Sequence, residues 1–94
     1  MSRKKKNKIR TIDGKAIYKA PGTYELHDPI PNPFVFRGYW PANTRFVVER
    51  HVDKIGDQNA YEHYSIRLDT HDRPIVKSYQ HEKWNYLVTR LTPL

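Results

Sequence analysis

The sequence predicts a mainly β protein: a small antiparallel barrel or strongly curved sheet of the SH3-like or OB-like kind, with five to seven short strands and a possible C-terminal helix. Three observations carry this expectation. Residues 44–52 alternate, with Phe46, Val48, Arg50 and Val52 of one parity and Arg45, Val47, Glu49 and His51 of the other. Residues 60–68 alternate likewise, Tyr64, Ile66 and Leu68 against Tyr61, His63, Ser65 and Arg67. Side chains two apart share a face of a strand, so each run reads as half-buried. Short turn-forming stretches, Ile55-Gly56-Asp57-Gln58-Asn59 and Thr70-His71-Asp72-Arg73, then join three strands into an antiparallel meander that ends with residues 74–79.

The remaining elements follow in chain order. Asp13-Gly14 between two short apolar/polar segments predicts a hairpin over residues 8–19, because both turn positions tolerate positive φ. Pro21-Gly22 is a turn before a short strand at 23–27. Asp28-Pro29-Ile30-Pro31-Asn32-Pro33 predicts an extended polyproline-like connector, since proline has no amide hydrogen for a ladder. Residues 34–40 read as a strand with a bulge at Gly38 and an end at Pro41. The C-terminal stretch fits two patterns. Trp84, Leu87, Val88 and Leu91 form a helical stripe, while Trp84, Tyr86 and Val88 alternate as in a strand. The aromatic and β-branched content tips the expectation toward a strand.

A chain of 94 residues is one small domain. Mean hydropathy is low, −0.89, yet two tryptophans, three phenylalanines and seven tyrosines argue for a folded body, because such residues repay the entropy of ordering. Phe46 and Tyr64 are the best core candidates. Cysteine is absent, which excludes disulfides and thiolate metal sites. No apolar run is long enough to span a membrane, so a cytoplasmic protein without membrane contact is expected.

The net charge of +7 is unevenly placed. Arg3, Lys4, Lys5, Lys6, Lys8 and Arg10 lie in residues 1–10 without an acid, whereas the other 84 residues carry 11 bases and 10 acids. The expected organisation is therefore a basic tail, 1–10, on a single β-rich domain, 11–94. Such a tail attaches to phosphates by releasing counterions and reads no sequence. Aromatic and basic residues also interleave on the strands: Phe36, Arg37, Tyr39, Trp40, Arg45, Tyr61, His63, Arg67, Lys77 and Tyr79. Exposed rings with flanking cations suit single-stranded nucleic acid, although most rings of so small a protein belong in its core.

These features point to a non-catalytic module that binds nucleic acid, RNA or DNA. Its expected contacts are the six tail bases with Lys15, Tyr39, Tyr61, His63 and Arg67. The alternative is a small protein-binding inhibitor or adaptor of the sort encoded by phages and mobile elements, with the tail steering the encounter. The five histidines show no metal-ligand spacing, and neither a metal nor another cofactor is expected. No acid/base set has diagnostic spacing either. The one enzyme reading kept open is metal-independent RNA cleavage by some combination of Glu49, Arg50, His51, Glu62, His63, Arg67 and His81. Neighbours on a strand face opposite ways, so any such set must be assembled from different strands.

Overall fold

A computed structural model describes residues 15–31, 38–55 and 59–94, with the side chains of 53–55 and 59–61 excepted. The elements are β1 (Gly22–Leu26), β2 (Ile30–Pro31), β3 (Tyr39–Trp40), β4 (Arg45–Ile55), β5 (Asn59–Leu68), β6 (Pro74–Lys77), α1 (His81–Val88) and β7 (Leu91–Pro93). Five strands form one antiparallel sheet in the order β6-β5-β4-β1-β7, and β2 pairs with β3 separately. The protein is thus mainly β, and the meander β4-β5-β6 is present. Among the described residues the sheet is open, because β6 and β7 do not pair with each other. A barrel is therefore not what these strands form.

Alternation decides which side of the sheet is covered. Phe46 pairs with Leu68, Val48 with Ile66 and Arg50 with Tyr64. Phe46, Val48, Tyr64, Ile66 and Val76 are 0–1% exposed. Onto this side pack Trp84, Leu87 and Val88 of α1, together with Ile30 and Trp40 of the small sheet. Trp40 meets Phe46 edge-on at 4.9 Å, a favoured aromatic geometry.

The C-terminal segment is the clearest correction. Residues 81–88 are helical rather than extended, since the stripe of Trp84, Leu87 and Val88 buries all three, while Tyr86 of the alternating set is only half-buried. A single two-turn helix is unstable alone, so its packing on the sheet selects it over the local strand preference. The strand reading survives only in β7, at 91–93.

Two further expectations change. Residues 15–20 form no strand, and the rest of the expected 8–19 hairpin lies outside the described residues. Their main chain pairs instead with helix side chains: Asn85 Oδ1 accepts from the Ile17 amide at 2.8 Å, Asn85 Nδ2 donates to the Lys15 carbonyl at 3.0 Å, and Trp84 Nε1 donates to the Ile17 carbonyl at 2.6 Å. The proline-rich connector contains a bridge as well, Ile30 opposite Trp40 and Pro31 opposite Tyr39, because Ile30 is needed in the core. Of the expected 34–40 strand, residues 39–40 are extended, and 34–37 lie outside the described set.

Turn chemistry fits the sequence elsewhere. Gly22 has φ of 152° where the chain enters β1, a conformation nearly confined to glycine. Asn43 has φ of 71° in the turn before β4, which asparagine tolerates better than most residues. No helix among the described residues is long and apolar enough to cross a membrane.

Candidate nucleic-acid interface

The second side of the sheet is open. Its residues have the opposite parity to the core set, and the register arranges them in rows across β4, β5 and β6. Val47 faces Arg67, Glu49 faces Ser65, and His51 faces His63. Lys77 stands on the far side of Ser65. All except Ser65 are half-buried, and Ser65 is 2% exposed.

Three rings form a row at one end of this patch. The His51 and His63 imidazoles stack, with centroids 5.0 Å apart and planes 19° apart. The Tyr79 ring lies 6.1 Å from His63 and tilted to it. Tyr79 is 48% exposed. The Lys77 ammonium sits 6.0 Å from the Tyr79 centroid, at the limit of cation–π reach.

Each member of the patch is held from beneath or beside. His51 Nε2 shares a hydrogen bond of 2.8 Å with the Ser65 hydroxyl. Arg67 Nε donates to Glu49 Oε2 at 3.2 Å, and its Nη1 donates to the carbonyls of Leu68 at 3.3 Å and His71 at 3.0 Å. Tyr79 is set by the residue before it. Ser78, fully buried, donates its amide to the Tyr64 carbonyl at 2.8 Å and accepts from the Tyr64 amide on Oγ at 3.0 Å. That pair continues the β5–β6 ladder past the end of β6 and carries Tyr79 over to the open face.

The sequence-derived contact residues divide between the two sides. His63 and Arg67 share the open face. Tyr61 lies opposite Asp53 in the backbone register, and its side chain is outside the described set. Tyr39 is 66% exposed but belongs to the small sheet, whose Trp40 packs on the covered side. Lys15 is exposed and is held to α1 on that same side. Arg3, Lys4, Lys5, Lys6, Lys8 and Arg10 lie outside the described residues. Glu49, His51, Ser65 and Tyr79 complete the patch. Strand parity points to each of them, but only the register shows which are neighbours.

Charge on the sheet is largely self-compensated. Arg67 pairs with Glu49, Arg45 with Glu25 at 3.9 Å, and Arg50 with Glu62 at 2.7 Å. The Glu62 carboxylate, hydrogen-bonded to Arg50, holds its guanidinium protonated above the ordinary arginine range. Arg50 and Glu62 belong to the core parity, so the possible catalytic set read from sequence is split: Glu49, His51, His63 and Arg67 are together, Arg50 and Glu62 are not. His81 starts α1. Among the described residues, no three His, Asp or Glu side chains are grouped to hold a metal ion.

A second concavity, about 370 Å³, is lined by His27, Asp28, Ile30, Thr89, Arg90 and Thr92. Its Arg90 is turned onto its own helix end, donating to the Tyr86 carbonyl at 2.7 Å and lying 4.0 Å over the Tyr86 ring. The open face is the richer site. No family model, curated protein or solved structure matches this chain.

Proposed function

We propose that the protein binds single-stranded nucleic acid, with bases stacking on the open face and phosphates meeting the basic residues of 1–10 and Lys77. The observation that carries this reading is the row His51–His63–Tyr79, three rings within 5.0 and 6.1 Å of one another on one sheet face. Every base has a π-face, so a ring row of this kind accepts any sequence. Because the sheet arginines are paired, the tail supplies most of the long-range attraction.

The test is a titration of a labelled oligonucleotide across salt concentrations. Six phosphate contacts predict a log-affinity against log-salt slope of about −4 for a single strand, and deleting residues 1–10 flattens it. At salt high enough to suppress the tail, Tyr79→Ala weakens binding by the roughly 1–3 kcal/mol typical of one stacked base, whereas Tyr39→Ala leaves it unchanged. Equal binding by the tail deletion and Tyr79→Ala would sink the proposal.

The pairing of Arg45 and Arg67 with glutamates favours a second reading, a protein-docking surface. A nearly neutral face suits a folded partner better than a polyanion does. A purified partner retained after nuclease treatment and released by open-face substitutions would support it.

A further inference from the structure

The open face holds more than rings. Within three adjacent strands it collects a carboxylate (Glu49), two imidazoles (His51 and His63), a guanidinium (Arg67) and an ammonium (Lys77). We infer that this face cleaves single-stranded RNA by attack of the RNA's own 2′-hydroxyl, an inference that rests on the binding proposed above.

Geometry selects the roles. The base and the acid of this reaction act on opposite sides of the phosphorus, so they must stand apart by more than a directly opposed strand pair. Opposed residues have Cβ atoms about 4.5–5.5 Å apart, and diagonal neighbours are about 7–8 Å apart. His51 and His63 are directly opposed with stacked rings, which leaves no space for a phosphate between them. Glu49 and His63 are diagonal, since Glu49 faces Ser65 and His63 lies two residues before Ser65. That spacing admits one phosphodiester.

Glu49 is the base and His63 the acid. The Glu49 carboxylate takes the proton of the 2′-hydroxyl. The 2′-oxygen bonds to phosphorus as the bond from phosphorus to the 5′-oxygen breaks. The His63 imidazolium passes its proton to that departing oxygen. One product ends in a 2′,3′-cyclic phosphate and the other in a 5′-hydroxyl, so protons and bonds balance. Lys77, across Ser65 from Glu49, meets the charge that grows on the non-bridging oxygens. Arg67 and His51 are positioning residues: Arg67 holds the Glu49 carboxylate through the 3.2 Å contact, and His51, fixed by Ser65, backs the His63 ring.

Two labelled oligonucleotides of one sequence, all-ribo and all-2′-deoxy, test this with the full chain in EDTA. Anisotropy reads binding, and a denaturing gel with mass spectrometry reads the ends. The expected result is binding of both, with cleavage of the ribo-oligonucleotide alone to cyclic-phosphate ends. Glu49→Gln and His63→Asn each slow cleavage about 10²–10⁴-fold, the usual contribution of a general acid or base; Glu49→Gln holds deoxy-oligonucleotide affinity within a few-fold, whereas His63→Asn, which removes a ring of the row, also weakens it. Glu49→Gln keeps an acceptor for Arg67, so its fold is secure should His63→Asn unfold. Both oligonucleotides bound with the ribo strand intact overturns the chemistry and leaves the binding standing. Cleavage undiminished in Glu49→Gln also overturns it, because the activity then belongs to a contaminant. Binding of neither oligonucleotide overturns both readings.

Discussion

The two sides of the central sheet are built from the same strands and have opposite characters. On the covered side Phe46, Val48, Tyr64, Ile66 and Val76 are 0–1% exposed and pack against α1. On the open side, residues one step away in the chain hold acids, bases and imidazoles in half-exposed rows. A period of two therefore separates the buried apolar set from the titratable set within single strands. Substitutions on one side are expected to unfold the protein, and those on the other to spare the fold.

The sharpest test of that separation compares neighbours. Phe46→Ala removes a fully buried ring that meets Trp40 and is expected to cost about 3–5 kcal/mol. Val47→Ala, on the open side and partly exposed, is expected to cost less than about 1 kcal/mol. Urea denaturation of both variants measures the difference, and equal losses would break the comparison.

Ser78→Ala probes the joint between the sides. It strips the buried Tyr64 amide of its acceptor, with an expected loss of about 1–3 kcal/mol. Because Ser78 also delivers Tyr79 to the open face, the Tyr79 fluorescence environment should change in the folded variant. A normal melting curve would show that water replaces the hydroxyl.

Alkaline titration addresses the covered side alone. Burial lifts Tyr24 and Tyr64 above the ordinary tyrosine value of 10.0, with Tyr18 adding to both and Glu62 adding at Tyr64. The unfolded chain gives up these protons near pH 10, while the folded protein holds them longer. Stability is therefore full below pH 10 and falls as pH rises above it. Melting temperatures across pH 8–11 should decline at the upper end, and less so in Tyr24→Phe. A flat profile would mean the hydroxyls titrate as if exposed.

The smallest effect belongs to Arg45→Ala. Its 3.9 Å pair with Glu25 is largely exposed, so melting should shift by no more than about 0.5 kcal/mol equivalent. A larger loss would show that the open side contributes to the fold.

Sequence reading reached the strand faces because alternation survives without knowledge of tertiary contacts. Phe46 and Tyr64 could be assigned to the core on that ground. It misjudged residues 84–88, where two periodicities overlap and only packing against the sheet separates them. Spacing along the chain carries no information about a set of side chains gathered from different strands. Glu49, His63 and Lys77 belong to three strands, and their relation depends on register. A slip of one residue would send one of them to the other side. Tyr39 and Tyr61 read alike in the sequence as contact residues, yet Tyr39 lies on a separate two-stranded sheet.

Asn85 has a consequence for how a ligand is met. Its amide serves residues 15–17 as a neighbouring strand would, offering an acceptor to Ile17 and a donor to Lys15. The mooring point of the 14 preceding residues is thereby fixed beside α1, behind the sheet as seen from the ring row. Fourteen residues span at most about 50 Å, which bounds how far from Lys15 any basic side chain before it can stand. On the nucleic-acid reading proposed above, the bases of residues 1–10 and the ring row are two contacts of one ligand, which must be long enough to reach both. Affinity should climb with oligonucleotide length until one strand bridges the two, and level off beyond it, as for any two-handed hold joined by a tether.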